Sequence, residues 1–174
     1  NWEVSEEHFR AALRIFPEYG GLDSPYYFLA RIHREQGRLE PAQAALARLN
    51  ALSESNYDAL LLQADILDEL GRPAESAAAL DKAVLIWPYE IEIHERLADR
   101  HAELGDTPAE VRERAAVVSL EPTDEAEALY RLADAQHRSG DLISARRSVM
   151  GALAIAPNYE EALELLLTIR SSGS

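Results

Sequence analysis

The stretch LDELGRPAESAAAL, Leu67 to Leu80, decides the fold. It sets an isolated Gly, a Pro and a run of small residues between two leucine-bearing segments. HREQGRLEPAQAAL, His33 to Leu46, says nearly the same thing 34 residues earlier. Gly37, Gly71 and Gly105 are spaced by 34 residues, and Gly140 follows after 35. Ala30, Ala64, Ala98 and Ala133 keep the same steps, and Pro88, Pro122 and Pro157 each fall 17 residues after the Gly of their copy. Several anchors in one phase mark a repeat architecture.

Each copy has two helical halves. In NYDALLLQADILDELG, Leu60, Ala64 and Leu67 recur at helical spacing, with acids on the other side. Gly71 stops that helix, because it adopts the left-handed conformation that a helix C-terminus requires. Pro73 suits the first turn of the next helix, where its missing N–H costs nothing. Ala77, Leu80, Ala83 and Val84 then form a second apolar face, and Pro88 bars continuation.

Composition limits what such repeats do. With 174 residues, 47% of them hydrophobic, and a net charge of −14, the chain has ample material for a folded core. Its acidity argues against a phosphate-backbone partner, which needs clustered Lys and Arg. It has no Cys, so disulfides and thiolate metal sites are excluded. No apolar run is long enough to span a bilayer, so no direct membrane insertion is expected. The chain opens on Asn1 without a signal sequence, and the expectation is an excised piece of a longer protein. The closing SSGS is either native linker or a remnant of cloning. The Ala- and Leu-rich helices have a bacterial composition, compatible with cytoplasm and periplasm alike.

Catalytic and metal motifs fail on inspection. HERLADRH, His94 to His101, invites comparison with the zinc pattern H-E-x-x-H, but Ala98 occupies the fourth position. His94 and His101 are seven residues apart, about 10 Å along a helix, too far for one zinc without a ligand between. The expectation is two partly exposed histidines on a charged helix. There is no Gly-rich phosphate loop and no G-x-S-x-G elbow. No enzyme activity, cofactor or metal is expected.

The register resembles the tetratricopeptide repeat family, whose units are helix–turn–helix modules of about 34 residues. The family's small first-helix residue corresponds to Ala30, Ala64, Ala98 and Ala133, its interhelix Gly to the four glycines, and its small second-helix residue to Ala42, Ser76 and Ala145. The resemblance implies an all-α fold, a right-handed α-solenoid. It divides the chain into 1–22, the second helix of a truncated repeat plus a turn, and four repeats at 23–56, 57–90, 91–124 and 125–159. Residues 160–174 are then a capping helix, or the start of a fifth repeat, with a tail. Terminal units of such arrays must cover an apolar face.

The third repeat departs from the pattern. Glu110 and Arg114 stand where small and large apolar residues are usual. Either they pair four residues apart on one face, or the helix turns so that Val111, Ala115 and Val118 face inward. An extra residue before Ala126 falls at the same junction and implies a local bend.

In this family the first helices line a concave face, and their outward residues are the usual ligand contacts. Carried over, the position after the packing Ala holds Arg31, Asp65, Asp99 and Asp134. Tyr27, Leu61, Glu95 and Tyr130 lie four residues earlier; Ser24, Asp58, Glu92 and Glu127 lie three further back. Toward the helix ends come Arg34, Asp68, Glu69, Glu103, His137 and Arg138. From Asn56 to Glu103 there are eleven acids against four Lys or Arg. The family's chaperone-tail chemistry, a Lys/Asn/Arg clamp on a C-terminal carboxylate, is not expected, because acids stand where its donors belong. The expected function is a non-enzymatic scaffold that binds a basic or mixed-charge peptide, with Asp65, Asp99 and Asp134 as an in-register ladder and Tyr27, Leu61 and Tyr130 as anchors. Two alternatives stay open. One is an export-system segment of the bacterial envelope that binds a cationic polysaccharide or an assembly partner. The other is a spacer or oligomerisation segment of a larger enzyme.

Overall fold

The computed structural model describes residues 2–172; Asn1 and the end of the SSGS tail, Gly173 and Ser174, lie outside the described residues. The chain divides into two units, Asn1–Pro88 and Tyr89–Ser174. The described residues of the first form α1 (Trp2–Ile15), α2 (Pro25–Glu35), α3 (Leu39–Leu52), α4 (Tyr57–Glu69) and α5 (Pro73–Ile86). Those of the second form α6 (Ile91–Leu104), α7 (Thr107–Ser119), α8 (Glu125–Arg138), α9 (Leu142–Ile155) and α10 (Glu160–Ser172). Within each unit every helix packs on its sequence neighbour, and α10 also touches α8. The architecture is an all-α helical-repeat solenoid.

The joint between α4 and α5 shows how the local sequence makes this. Gly71 has φ of +67°, inside the region that side chains with a Cβ avoid. The Arg72 N–H donates to the Leu67 carbonyl at 2.9 Å and the Gly71 N–H to the Asp68 carbonyl at 3.0 Å, which is the Schellman closure of a helix end. The same pair of bonds closes α2, α6 and α8. Pro73 opens α5 in its first turn. The helices then approach over Ala64 and Ser76, both fully buried. The Ser76 hydroxyl donates to the Ala64 carbonyl across that contact at 3.3 Å. Asn56, Asp106, Asp124 and Asp141 cap α4, α7, α8 and α9 by accepting a backbone N–H three residues on.

The cores follow the repeat positions. In the first unit Ala30, Ala42, Leu46, Leu49, Ala59, Leu62 and Ile66 form one cluster. In the second, α10 contributes Ala162, Leu165 and Ile169 to a cluster with Ala133, Ala145, Val149 and Ala152.

The departures in the third repeat resolve in favour of pairing. Glu110 is 1% exposed and Arg114 7%, while Ala115 faces solvent, so the rotation that would bury Val111, Ala115 and Val118 does not occur. The charged pair stays inside because partners from α6 and α8 meet it there, so α7 keeps the phase of its relatives. The expectation of partly exposed histidines is also corrected. His94, Ala98 and His101 share one face of α6, and because Ala98 faces inward both histidines are buried, at 5% and 8% exposure. The His94 Nδ1 lies 2.8 Å from Glu113 Oε2 on α7. At the α7–α8 junction Glu121 takes a left-handed φ of 56°.

Candidate functional site

In the second unit α6, α7 and α8 enclose a cleft of about 520 Å³. Glu92, Glu95 and Asp99 project into it from α6, since steps of three and four residues share a helical face. Glu127, Ala128 and Arg131 face them from α8, Arg114 and Val117 come from α7, and Asp124 sits at the rim. Five carboxylates and two guanidiniums therefore line one space.

Some of these charges are already committed. Arg114 Nη2 donates to Asp99 at 2.6 Å. Arg131 Nε donates to Glu127 at 2.6 Å, and that bond, with Asp99 and Glu95 nearby, holds the guanidinium more firmly protonated than usual. Burial alone would raise the Glu127 carboxyl, but hydrogen bonds from Tyr159 and Arg131 outweigh it and hold the group below its ordinary value. Tyr159 in turn is raised, first by burial and then by Glu127. Glu92 and Glu95 are exposed on the cleft wall, and no ion pair found among the described residues involves either.

Behind the cleft runs a chain of alternating charge. Arg114 Nε lies 3.7 Å from Glu110 Oε1. Arg138 grips both oxygens of Glu110 at 2.8 Å, and its Nε reaches Asp134 at 3.0 Å. The Glu110 bonds, then that to Asp134, push Arg138 further above its already high value against the opposing effect of burial. Glu110 is thus a buried carboxylate with a forked partner, the geometry that offsets desolvation best.

In the first unit Arg34 links α2 to α4, donating to Glu69 at 2.7 Å and to Asp65 at 3.3 Å. Arg31 stands 6.0 Å over the Tyr27 ring.

Comparisons with known proteins agree with this architecture. Profiles described as tetratricopeptide repeat match residues 57–88 and 126–159, and residues 24–48. Together these stretches cover more than half of the chain.

The chain belongs to the tetratricopeptide repeat family.

Among solved structures, YrrB, described as a TPR protein with an unusual peptide-binding site, aligns at TM-score 0.67 with 18% identity, over 94% of this chain and 82% of that one. MamA from Desulfovibrio magneticus RS-1 aligns at 0.62 with 18% identity, over 85% and 83%. A structure of Naa15/Naa10 bound to HypK aligns at 0.70 with 18% identity, over 96% of this chain and 29% of that one. Likeness at this identity establishes the fold. No curated protein matches the chain in sequence. Tetratricopeptide repeat proteins are typically non-enzymatic interaction scaffolds.

Against that fold the expected contact residues separate. Glu92, Glu95, Asp99 and Glu127 are brought together in the cleft. Each aspartate of the in-register ladder has an arginine: Asp65 has Arg34, Asp99 has Arg114, Asp134 has Arg138. Tyr130 is half-buried, its ring 5.1 Å from that of Tyr159. Glu103 pairs with Arg100 at the end of α6. Asp58 is exposed on α4, and Leu61 and Asp68 are half-buried. The sequence reading missed Arg114, Arg131 and Tyr159. Sequence shows Arg131 as a basic residue four positions after Glu127, and Arg114 only as a charged residue at a packing position. Among the described residues no group of three or more metal-ligating side chains comes together, and no helix is long and apolar enough to cross a membrane.

Proposed function

We propose that this protein is an interaction scaffold that binds a basic or mixed-charge peptide, and that the cleft of the second unit is its principal contact. The observation that carries the reading is the excess of carboxylates in that cleft. Five line it against two arginines, and those arginines are engaged by Asp99 and Glu127. Glu92, Glu95 and Asp124 are left at the wall and rim to attract a cationic segment. Val117, Ala128 and Ile91 give apolar contact between the charges. YrrB supports peptide recognition on this fold. The ladder aspartates act in this account chiefly as holders of arginines.

The test is a titration of the full chain with lysine-rich peptides at several salt concentrations. Affinity falls as salt rises, because the contacting charges are solvent-facing. The double variant Glu92→Gln, Glu95→Gln binds about tenfold more weakly at low salt, a loss of about 1.4 kcal/mol. Affinity indifferent both to salt and to this variant would contradict the proposal.

A further inference from the structure

We infer that Arg114 makes the cleft selective for a peptide that carries an acidic side chain between basic ones. The inference rests on the proposed role of the cleft and adds to it the class of ligand.

A guanidinium is out of place at this position, where related repeats carry a large apolar residue. Its side chain is 8% exposed, yet it lines the cleft. Arginine has five N–H donors. Nη2 is used by Asp99 at 2.6 Å. Nε makes no hydrogen bond, its nearest carboxylate being Glu110 at 3.7 Å. Glu110 cannot turn to serve it better, because both of its oxygens are held by Arg138 at 2.8 Å. No acceptor is found for Nη1 among the described residues. Nε is buried beneath the cleft surface, so the cleft floor holds a largely desolvated cation with one terminal nitrogen, Nη1, left to donate.

Such a group rewards an incoming carboxylate more than a solvated lysine or arginine does, since its desolvation has already occurred on folding. A carboxylate bound at the floor leaves the ligand's flanking cations beside Glu92 and Glu95. An all-basic segment places positive charge over Arg114 instead, and like charges repel. The same arginine serves as the negative element of selectivity and the positive one.

Two synthetic peptides test this with the full chain: a lysine-rich peptide with one central glutamate, and the same peptide with glutamine. Wild type binds the glutamate form about tenfold tighter, the scale of one charge-assisted hydrogen-bonded pair. Arg114→Gln brings the ratio close to one while still binding the glutamine form. Arg114→Lys, which keeps the charge and loses the planar fork, retains part of the preference. A role confined to packing would change stability and leave the ratio alone. Equal affinities in wild type, or a ratio unchanged in a folded variant, overturn the inference and leave the cleft as a peptide site. If neither peptide binds, the proposed function falls and the inference with it.

Discussion

At the scale of single residues, the third repeat exchanges an apolar contact for a charge network. Glu110 is nearly inaccessible, and its two oxygens answer to Arg138 while Arg114 stands 3.7 Å away. Removing Glu110 takes both of its bonds from Arg138 and leaves the buried Arg114 with Asp99 alone. Glu110→Ala is therefore expected to lower unfolding stability by about 3 kcal/mol. Restoring the family's usual residues at both sites, Glu110→Ala with Arg114→Leu, recovers most of that loss, because the buried cation that has lost its neighbouring carboxylate is removed as well. Denaturant unfolding of the two variants beside wild type measures both. A double variant no more stable than the single one would mean that the network is not the source of the cost. Sequence showed both residues as anomalies. It did not show their partners, because Arg138 lies 28 residues from Glu110 along the chain and meets it only after α7 and α8 have packed.

At the scale of elements, most of the structure was legible. Gly, Pro, Ala and the Asx caps act through local backbone chemistry, and local chemistry can be read one window at a time. Gly71 and Pro73 place a helix end and a helix start within a few residues of each other, as observed. The histidines of α6 were legible in geometry and misread in type: His94 and His101 flank the inward Ala98 at helical spacing, and that line decided their burial against the general preference of histidine for partial exposure. The α7–α8 junction differs from the glycine joints within each repeat, since a non-glycine residue, Glu121, takes a left-handed conformation at φ 56°. Glu121→Gly removes that penalty at some cost in unfolded-chain entropy, and is expected to raise stability by about 0.5–1 kcal/mol. A thermal melt checks it; a lowered midpoint would show that the Glu121 side chain contributes more than its backbone conformation costs.

At the scale of the whole molecule, the two units use the same repeat for different charge patterns. In the first, Arg34 draws in Asp65 and Glu69. In the second, the acids of α6 and α8 face one another across an open cleft. The repeat period put Glu92, Glu95, Asp99 and Glu127 on equivalent first-helix faces, but it did not point to Arg114 or Arg131, which line the same cleft. It did not tell which carboxylates keep their charge available to a ligand, because that depends in part on arginines supplied from other helices, as Arg114 is to Asp99. On the proposed function, recognition lies in the second unit, on the facing surfaces of α6 and α8. The most direct measurement is a chemical-shift titration of isotope-labelled full chain with a mixed-charge peptide. The predicted result is a contiguous set of shifted amides around Glu92, Glu95, Asp99, Glu127 and Arg131, titrating together and weakening with salt. Shifts confined to the first unit, or to the α9 and α10 side of the second, would contradict it.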